Sequence, residues 1–422
     1  MIWFFYNLLF PIAFLLLLPK FLSRMARRGG YKKHFEQRFG LYGHGTTVQL
    51  TEGRRIWIHA VSVGELNIAL RFVEESRKEN PEVRFVLSTN TSTAHAIGDR
   101  ELDSRDVLIY FPLDIPFIMK KAFNAINPLK LILVECEIWP NLIREANRRG
   151  IPVALINGRI SDSSFRGYSK LSSFTRRLLP MIDPICVQGQ RDAERMIALG
   201  AGPGTVKVLG TAKYDLPPPA ADVAAPARAV LTQAGVADDA LILLGGSTWP
   251  GEEAVLCEIY KKLRVDHPGL FLVLVPRHAE RRNEVVVAIE GLGLTCSLRS
   301  QGASPAEVLV IDTTGELMSF YAAADVVFVG KSLCEHGGQN PIEPALFGKP
   351  VIVGPNMENF PLVMDDFLLK GALLQVQDIP ALEKNISKQL ADPAARRQLG
   401  AAAAQLVESR RGAIRRMVQS IG

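Results

Sequence analysis

The sequence has few of the residues and motifs that mark metal or redox chemistry. Its five cysteines are odd in number and widely spaced, with no C-x-x-C pair, which argues against a disulfide framework or a structural zinc site. We expect these thiols to be reduced and buried. There is no Asp-x-Asp pair to hold a metal–diphosphate complex, no complete P-loop pattern and no Ser-His-Asp signature. The sequence therefore predicts chemistry without a metal ion or a cofactor.

Long apolar runs are also scarce. Only residues 2–19 form a run long enough to cross a membrane. A basic cluster with a single acid follows it: Lys20, Arg24, Arg27, Arg28, Lys32, Lys33 and Arg38. Such a cluster favours an anionic membrane surface as partner, and the positive-inside rule predicts that the rest of the chain lies on the cytoplasmic side. We expect one anchor, which either spans the membrane or lies on it. Nucleic acid is not expected, because no nucleic-acid-binding motif accompanies the charge.

Short apolar runs alternate with helical segments through the rest of the chain. They lie at 56–61, 83–89, 129–135, 151–158 and 184–189, and then at 240–247, 270–278, 308–312, 325–330 and 349–355. Buried strands that alternate with helices predict parallel sheets. We expect an α/β protein in which two Rossmann-like domains face each other across a cleft. The expected boundaries are an anchor at 1–45, an N-terminal domain at 46–215, a Pro- and Ala-rich hinge at 216–229 and a C-terminal domain at 230–422.

The second half carries loops suited to a nucleotide. Gly337 and Gly338 allow close backbone approach to a ligand, and Asn340-Pro341 start a helix with Glu343 in its first turn. That glutamate either accepts hydrogen bonds from ribose hydroxyls or stabilises its own helix dipole. Three more candidate loops follow strands, at 245–248, 276–278 and 313–316. Since ligands bind at the carboxyl ends of parallel strands, these loops together predict a nucleotide-binding domain.

The first half offers acidic side chains at strand ends. Glu65 follows a strand and lies near a helix start, where a partly dry carboxylate acts as a general base or merely stabilises the helix macrodipole. Glu135 and Glu137 end another strand, and one of them should pair with a cation such as Arg159, because buried carboxylates are costly alone. Lys213, beside the hinge, either faces the cleft or is a solvated lysine.

Taken together, the motifs resemble one family, the 3-deoxy-D-manno-octulosonic acid (Kdo) transferases of Gram-negative lipopolysaccharide assembly. The matching stretches follow the anchor in family order: HAVSVGE, ECEIWPN, INGRISDSSFRGYSK, GTAKYD, GSTWPGEE, VPRHAER, TTGELMSFYAAADVVFVGKS and GGQNPIEPALFGKPVIVGP. The last alone is typical of a nucleotide-sugar transferase with two Rossmann-type domains (GT-B). The resemblance implies an inverting, metal-independent transfer of Kdo from CMP-Kdo to the 6′-hydroxyl of a lipid A precursor, lipid IVA.

The resemblance also implies roles for individual residues. Glu65 would be the proton acceptor, and Glu135 and Lys213 would stabilise the transition state. Contacts to CMP would come from Pro276, Arg277, Thr314, Gly315, Glu316, Asn340, Pro341, Ile342 and Glu343. Two positions depart from the family pattern, since Trp249 stands where many relatives have histidine and Lys331 where glycine is usual. A transferase that uses a UDP-sugar and a membrane-associated binding protein without activity remain as alternatives.

Overall fold

Two compact units make up the chain. The computed structural model describes residues 3–4, 6–12, 16, 34–217 and 221–422. One unit comprises Met1–Asp215 together with Gly412–Gly422, and the other comprises Leu216–Arg411. The last helix therefore belongs to the first unit, although we expected the C-terminal domain to reach residue 422. The predicted hinge is also shorter than expected, because the helix Ala225–Gln233 begins inside it with a proline in its first turn, a position that proline favours.

The first unit is built on a seven-stranded parallel sheet with helices packed on it. Its strands are β1 (Ile56–His59), β2 (Phe85–Thr89), β3 (Val107–Tyr110), β4 (Lys130–Val134), β5 (Val153–Gly158), β6 (Ile185–Val187) and β7 (Val206–Val208), in the spatial order β3-β2-β1-β4-β5-β6-β7. Its α-helices are His44–Thr51, Val63–Glu79, Ser92–Glu101, Pro116–Ile126, Pro140–Arg148, Asp162–Lys170, Ser172–Leu178, Gln190–Ala198 and Ala413–Ile421, with 3-10 turns at Phe35–Phe39, Leu179–Met181 and Ala212–Tyr214. The apolar runs predicted five of these strands and missed β3 and β7.

The core of the first unit has two layers, one on each face of the sheet. Along β4, Leu131 and Leu133 pack into one cluster, while Ile132 and Val134 pack into the other. Successive side chains of a strand point to opposite faces, so both faces of β4 are buried. Burial on both faces explains why these strands are continuous apolar runs rather than alternating ones.

The C-terminal helix Ala413–Ile421 returns to the first unit through apolar and polar contacts. Its buried face, which includes Met417, joins the cluster that holds Leu66 and Phe72 of the helix Val63–Glu79. The carboxylate of Asp215 accepts hydrogen bonds from the backbone N–H groups of residues 412, 413 and 414, which satisfies donors that a helix start leaves unpaired. At the other end, the Lys130 ammonium donates to the last two carbonyls. These partners are about 200 or more residues apart in sequence, so local patterns gave no sign of them.

The second unit repeats the architecture. Its strands are β8 (Leu241–Thr248), β9 (Leu270–Pro276), β10 (Cys296–Leu298), β11 (Val308–Val310), β12 (Val326–Val329), β13 (Val351–Val353) and β14 (Leu374–Gln375), all parallel in the order β10-β11-β9-β8-β12-β13-β14. Its α-helices are Ala225–Gln233, Glu252–Leu263, Arg282–Gly291, Leu317–Ala323, Ile342–Leu346, Pro361–Leu369, Ile379–Ala391 and Pro393–Arg410, with 3-10 turns at Ala279–Arg281 and Arg299–Gln301. The short strands β10 and β14 were not predicted.

Each sheet reverses its direction of growth at one point, between β1 and β4 in the first unit and between β8 and β12 in the second. Connections that leave in opposite directions open a crevice above the strand ends, where open α/β sheets bind their ligands. The loops that follow these four strands are therefore the first places to look for a site.

The N-terminal segment is described only in part. Residues 3–4, 6–12 and 16 are helical, and no helix among the described residues is both long and apolar enough to cross a membrane. The basic residues from Lys20 to Lys33 lie outside the described part. Arg38 does not fit the expected membrane-facing cluster, because it is buried and donates to Asn90 while its guanidinium lies over the Tyr110 ring. The expectation that the cysteines are buried is confirmed for Cys186 and Cys257, whereas Cys136 and Cys296 are half-buried and Cys334 is exposed.

Candidate active site

Glu65 follows β1, at the switch point between β1 and β4, and lies in the first turn of the helix Val63–Glu79. Its Oε1 accepts a hydrogen bond from the Ser62 hydroxyl at 2.9 Å and its Oε2 accepts one from the Val61 N–H at 2.8 Å. The Ser62 oxygen in turn accepts from the Glu65 N–H at 3.3 Å. This reciprocal arrangement is a variant of the capping box. The carboxylate therefore does stabilise its helix start, as one of the two interpretations of the sequence required.

The same carboxylate has an unusual ionisation equilibrium. Burial raises the pKa of Glu65 above its ordinary value, and the negative charge of Glu135 raises it further. The hydrogen bonds from Val61 and Ser62 oppose that shift, because they stabilise the ionised form. A carboxylate with a raised pKa that still ionises is a better proton acceptor than an exposed one.

Glu135 follows β4, directly across the switch point from the β1 loop, and has a left-handed backbone with φ 57°. The Arg159 Nε lies 3.3 Å from its Oε2, and the Asn157 Nδ2 donates to its Oε1 at 3.4 Å. The predicted pairing of an acid in this loop with Arg159 is thus confirmed. Asn157 was not predicted. Its Oδ1 also accepts from the Ala212 N–H at 2.9 Å, so it joins the Glu135 loop to the segment that carries Lys213.

Lys213 lies in the 3-10 turn Ala212–Tyr214 and is half-buried. Burial lowers the pKa of its ammonium to about 8, the nearby charge of Arg159 lowers it as well, and the charge of Glu135 opposes both. Lys213 is therefore not the freely solvated lysine of the alternative interpretation. Since the charge of Glu135 acts on both Glu65 and Lys213, the structure brings the three predicted catalytic residues into one electrostatic neighbourhood.

Glu137 is a fourth member of this neighbourhood to which we had given no role. Its Oε2 accepts from the Trp139 Nε1 at 2.7 Å and lies 3.7 Å from the His59 Nε2. Burial and then the charge of Glu65 raise the pKa of Glu137 to about 7. His59 is fully buried, which lowers its pKa to about 3, and its ring stacks on Phe111. A neutral histidine provides no counter-charge, so Glu137 ionises late. The signal in the sequence was the E-x-E spacing at a strand end.

An apolar cavity of about 500 Å³ opens beside Glu137 in the first unit. Its lining includes Tyr6 and Phe10 of the N-terminal helix together with Trp139, Leu171 and Phe174. The helix is held there by contacts of its own: the Tyr6 hydroxyl donates to Asp114 at 2.8 Å, and its ring stacks against Phe174.

Within the described residues, no group of His, Cys, Asp or Glu side chains is arranged to hold a metal ion.

The second unit brings two of its predicted loops together. Arg277 follows β9, and its N–H donates to the Thr248 carbonyl at 3.0 Å. Glu343 lies in the first turn of the helix Ile342–Leu346, as predicted, and Asn340 donates to its Oε1 at 3.1 Å. Burial raises the pKa of Glu343, while the Asn340 bond and the charge of Arg277 lower it. The charge of Arg277 thus acts on the Glu343 carboxylate across the two loops.

The third predicted loop is more exposed. Thr314 and Gly315 are open to solvent after β11, and Glu316 is bound by the Thr313 hydroxyl and by Arg299, whose Nε lies 3.1 Å from its Oε1. Because β11, β9, β8 and β12 are neighbours in one parallel sheet, the loops after them share one edge. Among the described residues, the hydrogen-bond partners of the Glu316 carboxylate are Thr313 and Arg299 rather than the Arg277 loop.

Two glycine pairs have a role in the packing of the protein itself. Gly245 and Gly246 lie inside β8 rather than in a loop after it, and a Cβ on Gly246 would come within 2.5 Å of the Tyr321 ring. Gly337 and Gly338 have φ 112° and 69°, and a Cβ on Gly338 would lie 2.3 Å from the Met357 sulfur. Both pairs are therefore required by packing and backbone conformation within the protein.

Two parallel seven-stranded α/β units, each with polar side chains above its switch point, form a GT-B-like fold. A glycosyltransferase from Rickettsia africae ESF-5 has the same fold, with a TM-score of 0.58 at 12% identity over 87% of this chain and 97% of that chain. Two family models match the chain: "3-Deoxy-D-manno-octulosonic-acid transferase (kdotransferase)" over residues 33–216 and "Glycosyl transferases group 1" over residues 265–406.

Curated relatives narrow the class to one family. The chain is 31% identical to the 3-deoxy-D-manno-octulosonic acid transferase of Haemophilus influenzae, over 92% of this chain and 90% of that protein. It is 33% identical to the protein of the same name from Bordetella pertussis, over 94% of each. The chain belongs to the Kdo transferase family and is a glycosyltransferase that transfers Kdo in lipopolysaccharide biosynthesis.

Proposed function

We propose that this protein transfers Kdo from CMP-Kdo to the 6′-hydroxyl of lipid IVA with inversion, and that Glu65 is the general base. The observation that carries this proposal is the state of Glu65: buried enough for its pKa to be raised, yet held by hydrogen bonds that favour its charged form. A sugar hydroxyl is a weak nucleophile until a base accepts its proton. The position of Glu65 at the β1–β4 switch point, where α/β sheets bind ligands, supports this role.

The proposed step is a single displacement. Glu65 accepts the proton of the acceptor hydroxyl while that oxygen forms a bond to the anomeric carbon of Kdo. The bond from that carbon to the phosphate oxygen breaks, and CMP leaves with the electron pair. Lys213 stabilises the negative charge that develops on the leaving group. Glu135, held by Arg159, stabilises the positive character of the sugar ring as the bonds exchange.

The donor's nucleotide is assigned to the second unit. Arg277 binds the phosphate, and Glu343 accepts hydrogen bonds from the ribose. The segments 314–316 and 340–342 complete the contacts. CMP-Kdo carries one phosphate, so its charge can be balanced by arginine without a diphosphate-clamping metal. The proximity of Arg277 to Glu343, seen in the effect of one charge on the other, supports a common ligand for these two side chains.

The acceptor is assigned to the first unit, on the cytoplasmic face of the inner membrane. The apolar cavity beside Glu137 suits an acyl chain, because its lining is aliphatic and aromatic and its polar end adjoins the proposed catalytic groups. Docking of the N-terminal helix against this cavity supports entry of the lipid from the membrane side. The basic residues that follow this helix in sequence are suited to the anionic lipid surface.

The direct test combines purified full-length protein with CMP-Kdo and lipid IVA and identifies the product by mass spectrometry. We expect a product heavier by one or more Kdo residues, and we expect Glu65→Gln to lose most of the activity. CMP should raise the melting temperature while UDP should not, since only a ligand that binds the folded state stabilises it. Transfer from a UDP-sugar would instead support the other transferase. Binding of CMP without any transfer would support a binding protein.

A further inference from the structure

The switch point of the second unit is crossed by a side-chain pair that the proposed function does not use. Trp249 follows β8 and Lys331 follows β12, the two neighbouring strands at which the sheet reverses. The Lys331 Nζ lies 4.3 Å from the centre of the Trp249 ring, a distance at which an ammonium is attracted to the face of an indole. The two positions at which this sequence departs from the family pattern are therefore in contact with each other.

One buried carboxylate holds both loops in place. Glu252, which is fully buried, accepts hydrogen bonds from the backbone N–H of Trp249 at 2.9 Å and of Lys331 at 2.8 Å. It also accepts from the N–H groups of Ser332 and Leu333, both at 3.0 Å. Four bonds to one carboxylate fix the two loops relative to each other, so the ring and the ammonium meet in a defined arrangement.

The backbone of Lys331 is better suited to glycine. Its φ is 58°, in the left-handed region that side chains with a Cβ rarely adopt. A residue held in such a conformation is often one whose side chain is used. No ion pair of Lys331 occurs within the described residues, so none of the acids described there neutralises its charge.

Two hydrogen-bond donors beside Lys331 are buried without a partner: the Trp249 Nε1 and the Thr248 hydroxyl. Buried donors without an acceptor are costly, and they are rare in native proteins unless a ligand or water completes them. The neighbouring Arg277 loop is joined to this place through the Thr248 carbonyl. A cation and two unsatisfied donors at a switch point are together suited to a negatively charged oxygen.

We propose that Lys331, with Trp249 and Thr248, forms an anion-binding subsite for the nucleotide-sugar donor, in addition to the contacts of the proposed function on which it rests. The anionic oxygen belongs to the phosphate or to the carboxylate of the sugar. The subsite places a positive charge at position 331, beside the indole at position 249. The two departures thus act as one paired substitution.

The test uses Lys331→Gly, which removes the charge and also relieves the left-handed backbone. Lys370→Gln, at an exposed position of the same unit, is the control. For each variant, the affinities for CMP and for cytidine are measured by calorimetry, and the KM for CMP-Kdo is measured in the transfer assay. If the phosphate binds here, CMP affinity falls about 10- to 100-fold, the factor for a charged hydrogen bond of about 1.5–3 kcal/mol, while cytidine affinity is unchanged. If the carboxylate binds here, CMP affinity is retained and the KM for CMP-Kdo rises by the same factor.

A second pair of variants separates the subsite from a folding effect. Trp249→Phe keeps the ring beneath the ammonium but removes the orphaned N–H, and should weaken the same ligand more mildly. The double variant with Trp249→His and Lys331→Gly restores the family pattern, and should return to within about threefold of the wild type. The proposal would be overturned by any of three results. Lys331→Gly could leave both the CMP affinity and the KM for CMP-Kdo unchanged, or it could weaken cytidine binding as much as CMP binding. The double variant could also bind its ligand more weakly than Lys331→Gly alone. Should the wild type transfer no Kdo, the proposed function fails, while the CMP and cytidine titrations still decide on the phosphate.

Discussion

Replacement of Glu65 by glutamine should separate its two roles. Glutamine is nearly the same size and can accept the Val61 N–H through its oxygen while its amide donates to the Ser62 hydroxyl, so the cap that now rests on bonds of 2.8 and 2.9 Å is preserved in modified form. It has no basic oxygen to accept a proton. Since general-base catalysis contributes about 10²- to 10⁴-fold, we expect kcat to fall by that factor, which corresponds to about 3–5 kcal/mol of barrier.

The matched control is Ser62→Ala, which removes the cap but keeps the carboxylate. Loss of a serine cap costs about 0.5–2 kcal/mol of stability, so this variant should melt earlier than Glu65→Gln. It also removes a hydrogen bond that lowers the pKa of Glu65. The acidic limb of kcat/KM should therefore move to higher pH, while the plateau value stays near that of the wild type.

The assay follows Kdo transfer to lipid IVA over a range of pH, together with thermal unfolding of each variant. A base must be ionised, so wild-type activity should disappear as pH falls through the raised pKa of Glu65. A Glu65→Gln enzyme with the wild-type kcat and pH profile would refute the assignment. So would a Ser62→Ala enzyme that is as inactive as Glu65→Gln, because the carboxylate would then act only through the cap.

Three further predictions concern the surroundings of Glu65. The pKa of Glu137, about 7, lies above its ordinary value of 4.5, so stability falls as pH rises between these two values and stays low above them. Glu137→Gln should therefore unfold less readily than the wild type at pH 8, by about 1–3 kcal/mol, and equally at pH 4. If Lys213 acts as an ammonium with a pKa of about 8, wild-type activity should fall above that pH, and Lys213→Gln should lower kcat and abolish this alkaline loss. Leu171→Gln, at the exposed edge of the cavity, should raise the KM for acylated acceptor about tenfold and leave deacylated acceptor unaffected, whereas Leu129→Gln outside the cavity should change neither.

The sequence contained most of the fold because its strands are buried on both faces. Ten of the fourteen strands are apolar runs that alternate with helices, and such runs are hard to mistake. The strands that were missed have weaker patterns: β7 is partly exposed and β14 has only two residues. The position of the last helix was not predictable, because it depends on Asp215 and Lys130, which are remote in sequence.

The sequence predicted individual residues of the candidate site but not the contacts that join them. Strand ends and helix starts drew attention to Glu65, Glu135, Arg277 and Glu343 from local patterns alone. Glu252 was overlooked, because a carboxylate that binds four backbone N–H groups of two distant loops leaves no local signal. The glycines of β8 were misinterpreted for a related reason: close packing against Tyr321 and close approach of a phosphate both require glycine.

The structural and catalytic interpretations of Glu65 are compatible, because each depends on the same two hydrogen bonds. Burial and the neighbouring Glu135 would protonate an unassisted carboxyl at this place, and a protonated carboxyl is no base. The N–H of Val61 and the hydroxyl of Ser62 counter that tendency. They belong to the start of a helix, whose unpaired N–H groups and positive dipole end also favour a negative charge. A helix start directly after a buried strand thus supplies both the exclusion of water that raises the pKa of a base and the hydrogen-bond donors that keep the base ionised.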